Sequence, residues 1–134
     1  MEIFLWDDIT VPGNWEVQGH GVAIYTNHGY EFKPKNPQPP LLPEANPVGV
    51  YRRDIEIPAS WDNRDIYLHI GGAKSGLYVY LNGKEVGYSE DSKNPAEFLI
   101  NKYLQPGKNV LTLKIFRWST GSYLECQDFW RMSG

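Results

Sequence analysis

The stretch LYVYLNGKEVGYS, residues 77–89, decides the fold. Leu77, Val79 and Leu81 alternate with tyrosines, and this two-residue period predicts a strand with one apolar face. The pair Asn82-Gly83 follows, and both residue types tolerate the positive φ angles that a tight two-residue hairpin turn requires. We therefore predict a β-hairpin in which residues 84–89 return as the second strand.

The same period recurs on both sides of this hairpin. It predicts strands at residues 52–57, 65–70 and 111–115, each with its apolar side chains on one face. Only residues 101–104 look helical, and there for a single turn. Several short strands, each apolar on one face, are typical of an all-β fold, and we predict an antiparallel two-sheet sandwich.

The N-terminal third of the chain lacks this period. Six prolines fall within residues 34–47, at positions 34, 37, 39, 40, 43 and 47. Such density excludes a helix or a central strand, because proline has no backbone N–H and a fixed φ. We predict a Pro-rich N-terminal loop region that packs on the domain through Tyr25 and Tyr30.

Composition narrows the functional class. The chain has 134 residues, a net charge of −3 and scattered basic residues, so we expect one domain, residues 1–134, that binds no nucleic acid. Apolar runs are too short for a membrane span, and we expect no membrane partner. Cys126 is the single cysteine, which excludes an intramolecular disulfide, and the three histidines lack the spacing of metal ligands.

The final stretch, RWSTGSYLECQDFWRMSG at residues 117–134, combines two tryptophans, a tyrosine and a phenylalanine with acidic and amide side chains. Aromatic walls with a few polar groups are what a site for a small polar ligand such as a sugar requires. The stretch follows a strand pattern and stops without a closing element. We therefore expect the chain to be part of a larger protein.

Several motifs together resemble one family. They are VPGNWE at 11–16, IYTN at 24–27, GVYRR at 49–53, LNGKEVGYSEDS at 81–92, RWS at 117–119, SYLE at 122–125 and QDFWRMSG at 127–134. In this combination the chain resembles the N-terminal sugar-binding domain of family 2 glycoside hydrolases, in particular the large bacterial β-galactosidases. The resemblance runs from about Trp6 to Gly134, nearly the whole chain.

The resemblance implies a jelly-roll sandwich of the galactose-binding-domain type, followed in the parent enzyme by immunoglobulin-like domains and a TIM barrel. The barrel carries the catalytic glutamates of that family, so we expect no catalytic residue in this chain and no activity of the chain alone. The implied parent hydrolyses terminal β-D-galactosides and forms homo-oligomers. Its compartment stays open between cytoplasm and periplasm.

Two residues are the candidate substrate ligands. From the residues alone, Asp128 reads as an ion-pair partner of Arg131 or Arg117, and Asn27 reads as a turn former before His28-Gly29. The resemblance implies instead that Asp128 binds a sodium ion and the C6 hydroxyl of galactose. It also implies that Asn27 hydrogen-bonds the galactosyl unit, a role that suits an amide because it donates and accepts.

The other candidates favour structural roles. The carboxylate pairs nearest in sequence are Glu90 with Asp91, and Glu125 with Asp128, and we expect them to serve turns and surfaces rather than hydrolysis. Trp118 and Trp130 are expected to be core anchors. We expect Cys126 to be a neutral variation and not a nucleophile, because no histidine lies near it in sequence to activate the thiol.

Only the resemblance to this family implies that metal ions are bound. We expect no cofactor within this chain, and a parent enzyme that uses sodium and magnesium ions. Some family members hold a magnesium ion at the positions of Glu90 and Thr120, through an amide and an aspartate. Thr120 departs from that pattern, which argues against a peripheral magnesium here.

Two other functions fit the same residues. A freestanding carbohydrate-binding module is one, since β-sandwiches commonly serve that role, and it should carry a closing strand and a complete aromatic platform. A structural or subunit-contact domain is the other, and it would tolerate the loss of Asn27 and Asp128 without loss of turnover.

Overall fold

A computed structural model describes residues 6–24, 29–32 and 35–125 of the chain. This part of the protein is built from strands and short 3₁₀ turns and has no α-helix. The strands are β1 (Val48–Glu56), β2 (Tyr67–Ile70), β3 (Gly76–Leu81), β4 (Lys84–Ser89), β5 (Ala96–Leu99) and β6 (Lys108–Phe116). The 3₁₀ turns cover Glu16–Gln18, Ala59–Trp61, Asn101–Tyr103 and Thr120–Tyr123. The predicted all-β class is confirmed.

The strands form two antiparallel sheets, as the sequence predicts for a β-sandwich. One sheet has four strands in the order β1-β6-β3-β4, and the other pairs β2 with β5. The order within the larger sheet is not that of the sequence, because β6 returns between β1 and β3. The last strand of the described chain is therefore central, and the run that follows it starts from the middle of the sheet.

The predicted hairpin is confirmed. Asn82 and Gly83 have φ angles of 52° and 76°, the left-handed values that this turn requires. The second strand, β4, has the predicted limits. The side chain of Asn82 also fixes the turn to β6, because Oδ1 accepts from the N–H of Val110 at 2.9 Å and Nδ2 donates to Oδ1 of Asn109 at 2.8 Å.

The core lies on the inner face of β3. Leu77, Val79 and Leu81 are 2%, 0% and 1% exposed, and they pair across the strands with Ile115, Leu113 and Leu111 of β6. On the opposite sheet the half-buried residues Ala96 and Phe98 of β5 alternate with exposed neighbours. Buried and exposed side chains thus alternate along these strands, as the two-residue period of the sequence predicts.

One glycine shows how closely the two sheets approach. A Cβ placed on Gly87 of β4 would lie 2.8 Å from Cε1 of Phe98 in β5. Carbon atoms do not approach to that distance, so any larger residue at position 87 requires the Phe98 ring or the strands that carry the two residues to shift.

The structure differs from the sequence prediction in strand limits and in one additional strand. β2 begins at Tyr67, two residues later than predicted, and β6 begins at Lys108, three residues earlier than predicted. β1 begins at Val48, four residues earlier than predicted, because its first half pairs with the end of β6 in register Val48↔Phe116. β5 was not predicted, because a four-residue strand gives too few alternations to be recognised. The predicted helical turn at residues 101–104 is confirmed as the 3₁₀ turn Asn101–Tyr103.

The loop region was predicted from proline content. Residues 35–47 have neither helix nor strand, and most of them are exposed. None of the described helices is long and apolar enough to cross a bilayer. The division of the chain into a single domain, residues 1–134, stays a prediction.

Candidate functional site

Both predicted substrate ligands, Asn27 and Asp128, lie outside the described residues, as do Cys126 and Trp130. Their described neighbours are well determined by contacts. Residues 22–24 and 29–32 flank the segment with Asn27, and residues 117–125 precede the segment with Asp128. The geometry of these flanking residues defines the candidate site.

An aromatic cluster joins the two flanks. It consists of Tyr30, Phe32, Trp118 and Tyr123. The ring of Phe32 lies 5.6 Å from that of Trp118 and 5.2 Å from that of Tyr123, and the rings of Tyr30 and Tyr123 are 4.9 Å apart. Edge-to-face and tilted contacts at these separations are favourable beyond the area they bury.

Hydrogen bonds fix the same cluster. Oη of Tyr30 donates to the backbone carbonyl of Tyr123 at 2.9 Å, and Oη of Tyr123 donates to the carbonyl of Leu41 at 2.5 Å. Tyr123 is therefore bound to the residues that follow Asn27 and to the Pro-rich loop. The flanks of the two candidate segments lie side by side.

Arg117 ties the other flank of Asn27 to the same place. Its Nη1 donates to the carbonyl of Val22 at 2.8 Å and lies 3.4 Å from the Glu16 carboxylate. The guanidinium is buried and stacks near the Trp118 ring at 5.5 Å. Among the described residues, Glu16 is thus the acidic partner of Arg117, one of the two arginines that sequence analysis considered for Asp128.

Trp118 is a core anchor, as predicted, because only 8% of it is exposed. Its backbone forms two hydrogen bonds with the Asn46 side chain, from the Trp118 N–H at 3.1 Å and to the Trp118 carbonyl at 2.8 Å. Its Nε1 donates to the Glu31 carboxylate. The indole is fixed on several sides and does not form an open sugar platform.

A buried charge pair lies behind the aromatic cluster. The Glu31 side chain is 3% exposed, and its Oε1 lies 3.5 Å from Nζ of Lys74, which is 14% exposed. Burial lowers the pKa of Lys74, and the neighbouring Glu31 carboxylate opposes that shift. Sequence analysis did not single out either residue, because 43 positions separate them in the chain and neither belongs to a motif.

Glu90 anchors the turn that leads toward Asp128. Its carboxylate accepts hydrogen bonds from Oη of Tyr88 at 2.5 Å, from Oγ1 of Thr120 at 2.8 Å, and from the N–H of Gly121. Burial raises the pKa of the Glu90 carboxyl, but these hydrogen bonds outweigh it and hold the pKa below its ordinary value. Burial and the Glu90 carboxylate raise the pKa of the Tyr88 hydroxyl.

This arrangement does not fit a peripheral magnesium ion. Both oxygens of Glu90 accept from protein hydroxyl and amide donors, and Thr120 brings a neutral hydroxyl to the position of an aspartate. Across the described ranges, no three histidine, cysteine or acidic side chains come together as a possible metal site.

The remaining carboxylates have structural roles in the described residues. Asp91 stabilises its own turn by accepting from the Lys93 N–H at 3.3 Å and from the Asn94 amide. Glu125 accepts from both the N–H and the hydroxyl of Ser92, at 3.0 and 2.9 Å. Asp91 thus serves its turn, and Glu125 joins the run after β6 to Ser92; the absence of a hydrolytic role for either residue stays a prediction.

Comparison with known proteins identifies related sequences and structures. The family model described as the sugar binding domain of glycosyl hydrolases family 2 matches residues 3–134. A β-galactosidase of Priestia megaterium is 46% identical over 131 residues, and one of Psychromonas ingrahamii is 47% identical over 129 residues. Each alignment covers 96% of this chain but only 13% and 12% of the respective relative.

Among solved structures, a β-D-glucuronidase of Dictyoglomus thermophilum is similar to this chain with a TM-score of 0.50 and 28% sequence identity. The alignment covers 52% of this chain and 12% of that enzyme. Relatives in sequence and relatives in structure therefore carry the names of two different glycosidases, and both are far longer than this chain.

Proposed function

This chain belongs to the sugar-binding domains of glycoside hydrolase family 2, and from that premise we propose that it is the non-catalytic domain of a β-galactosidase. In this proposal the domain supplies part of the wall of the galactose-binding site, while the rest of the protein carries the catalytic carboxylates. The β-galactosidase relatives at 46–47% identity support the assignment of the whole protein.

One observation carries the active-site role. The flanks of the Asn27 and Asp128 segments are joined by the Tyr30–Tyr123 hydrogen bond of 2.9 Å and by the contact of their rings. In this proposal the two segments, whose described flanks are joined, supply an amide and a carboxylate to one binding site. A polar pair of this kind, next to aromatic rings, suits the hydroxyl groups of a sugar.

Asp128 and Asn27 offer oxygen donors, which hard cations such as sodium prefer. A bound sodium ion would supply a fixed positive charge that attracts a sugar hydroxyl oxygen. The residues of this chain would orient the substrate: Asp128 through its carboxylate and Asn27 through an amide that donates and accepts. Any magnesium ion of the whole protein would lie away from Glu90 and Thr120, where the donor set does not fit it.

Charge supports a galactoside over a glucuronide. A glucuronide carries a carboxylate at C6, where galactose carries a neutral hydroxyl. An anionic Asp128 near C6 would repel the uronate and accept a hydrogen bond from the hydroxyl, so one residue gives both attraction and rejection. The glucuronidase relative is more distant in sequence, at 28% identity.

The test is Asp128→Asn in the whole protein. Asparagine keeps the size and one oxygen but removes the charge, so we expect kcat/KM for an aryl β-galactoside to fall about tenfold to a hundredfold, the effect of losing a charge-assisted contact. A 6-deoxygalactoside should lose far less, because it lacks the hydroxyl. Steady-state kinetics with both substrates over a sodium series separates the effects.

Equal losses for the two substrates with unchanged sodium dependence would contradict the active-site role and leave the structural or subunit-contact domain. Galactose binding by the chain alone would instead favour a freestanding carbohydrate-binding module.

A further inference from the structure

A buried carboxylate links the two sides of the candidate site. The Glu31 side chain is 3% exposed, its Oε1 accepts a hydrogen bond from Nε1 of Trp118, and Nζ of Lys74 lies 3.5 Å from that oxygen. Acidic and basic side chains are rarely buried to this extent, because their desolvation is costly even when they are paired. The interior behind the aromatic cluster therefore retains a charge pair of a kind that well-packed hydrophobic residues often replace in proteins without loss of stability.

The position of Glu31 in the chain indicates a role for the Glu31–Lys74 pair. Glu31 follows Asn27 by four residues, and Trp118 opens the run that leads to Asp128. The Trp118 backbone is already fixed by the Asn46 side chain, with hydrogen bonds of 2.8 and 3.1 Å. The hydrogen bond from the indole N–H to Glu31 also fixes the orientation of the ring, which apolar packing alone does not specify.

We propose that Glu31 is a positioning residue for galactoside recognition, and this rests on the proposed function above. Its carboxylate, held in place by Lys74, fixes the indole of Trp118 and thereby the relation between residues 29–32 and 117–125, the described flanks of the segments that carry Asn27 and Asp128. Glu31 itself touches no substrate. Its effect on the reaction is carried by the geometry of those two segments.

The test is Glu31→Gln in the whole protein. Glutamine keeps the volume and an acceptor oxygen for Trp118, but the charge is lost and Lys74 keeps its buried ammonium without that counterion. Displacement of a binding group by about 1 Å costs up to a hundredfold in rate, so we expect a loss of roughly tenfold in kcat/KM for the aryl β-galactoside. The loss for the 6-deoxygalactoside should be clearly smaller, because the part of the loss that arises from Asp128 acts through the 6-hydroxyl contact and only the part that arises from Asn27 remains.

The rates are measured well below the melting temperature and per mole of folded enzyme. A loss of stability alone then changes kcat/KM for neither substrate. Asp54→Asn is the matched control, because it removes the carboxylate of another ion pair, Asp54–Lys108 at 2.7 Å, whose acidic side chain is 57% exposed. We expect this control to leave kcat/KM unchanged for both the aryl β-galactoside and the 6-deoxygalactoside. Equal losses for both substrates in Glu31→Gln, or no loss, would overturn the proposal.

A double variant guards against misfolding of the single one. Glu31→Gln with Lys74→Met removes both buried charges at nearly constant volume, so the melting temperature should return toward that of the wild type. The selective loss for the galactoside should persist, because the charged acceptor of the indole N–H is still missing. Recovery of wild-type selectivity together with stability would show that Glu31 only neutralises Lys74, and would overturn the proposal.

Asp128→Asn separates the two levels of the argument. A selective loss in Asp128→Asn without one in Glu31→Gln refutes the positioning role alone. The absence of a selective loss in Asp128→Asn refutes the proposed function, and the role of Glu31 falls with it.

Discussion

Removal of the Glu90 carboxylate should loosen the turn Thr120–Tyr123 that leads toward Asp128. The carboxylate accepts from Tyr88, Thr120 and the N–H of Gly121, and only the last donor is a backbone group that cannot rotate toward water. Glu90→Ala deletes all three contacts. Glu90→Gln keeps one acceptor oxygen for Gly121 and places an amide N–H₂ beside hydroxyls that can turn to accept from it.

The contacts set the size of the effect. A hydrogen bond to a charged group contributes about 1.5–3 kcal/mol, roughly twice the value of a neutral one, and less where water can reach it. The hydroxyl contacts of Glu90 are exposed enough for water to replace them, so the Gly121 contact dominates. We expect Glu90→Ala to lower the free energy of unfolding by about 2 kcal/mol and Glu90→Gln by about 1 kcal/mol.

Urea denaturation of wild type and both variants measures these differences, and pH adds a second signature. Because the folded-state pKa of Glu90 lies below its ordinary value, the charged carboxylate stabilises the fold above about pH 4.3, and this stabilisation is lost as the pH falls through the folded-state pKa. The gap between wild type and Glu90→Gln should therefore be constant near neutral pH and close in acid.

Glu97→Gln is the control. Glu97 contacts His69 at 3.0 Å, but its side chain is 63% exposed, so its replacement should change the unfolding free energy by less than about 0.5 kcal/mol. If Glu90→Ala is no less stable than Glu97→Gln, or if the gap to Glu90→Gln does not depend on pH, then Glu90 does not hold the turn and our reasoning about it is wrong.

Three further outcomes are expected. The chain alone should not hydrolyse an aryl β-galactoside; turnover that disappears when one of its carboxylates is replaced would contradict this. Galactose should bind the chain alone with a Kd weaker than about 1 mM by titration calorimetry, since Asn27 and Asp128 form one side of a pocket, and tighter binding would favour the freestanding module. Gly87→Ala should lower the unfolding free energy by about 1–3 kcal/mol, because its Cβ would lie 2.8 Å from Phe98, whereas Gly71→Ala, with no atom within 4 Å, serves as control.

The sequence predicts those parts of the fold that depend on neighbouring residues. The turn at Asn82-Gly83 and the alternation of residues 77–81 need only local chemistry, and the hairpin forms where they place it. β5 is not predicted from the sequence, because only two of its residues, Ala96 and Phe98, face inward. The position of β6 next to β1 depends on pairs that lie 52 or more positions apart in the chain, the smallest separation being Glu56↔Lys108. The periodicity of a strand does not specify its partner.

The candidate site divides in the same way. Asn27 and Asp128 came from motifs that resemble a family, whereas Glu31 and Lys74 belong to no motif. The Glu31–Trp118 hydrogen bond spans 87 positions of the chain. A single acidic residue in a loop reads as a solvated charge until the fold places an indole N–H and an ammonium group beside it.

The run after β6 explains why so many polar contacts gather at one end of the sandwich. Residues 117–125 contain one short 3₁₀ turn, whose own hydrogen bonds are too few to fix a conformation. Side chains from separate parts of the chain supply what is missing: Asn46 and Glu31 hold Trp118, Glu90 holds Gly121, and Ser92 holds Glu125. The run also belongs to the core, because Trp118 and Tyr123 are each 8% exposed. The contacts therefore hold core residues in place, and in the proposed function they also hold the run that leads to Asp128, three positions beyond Glu125.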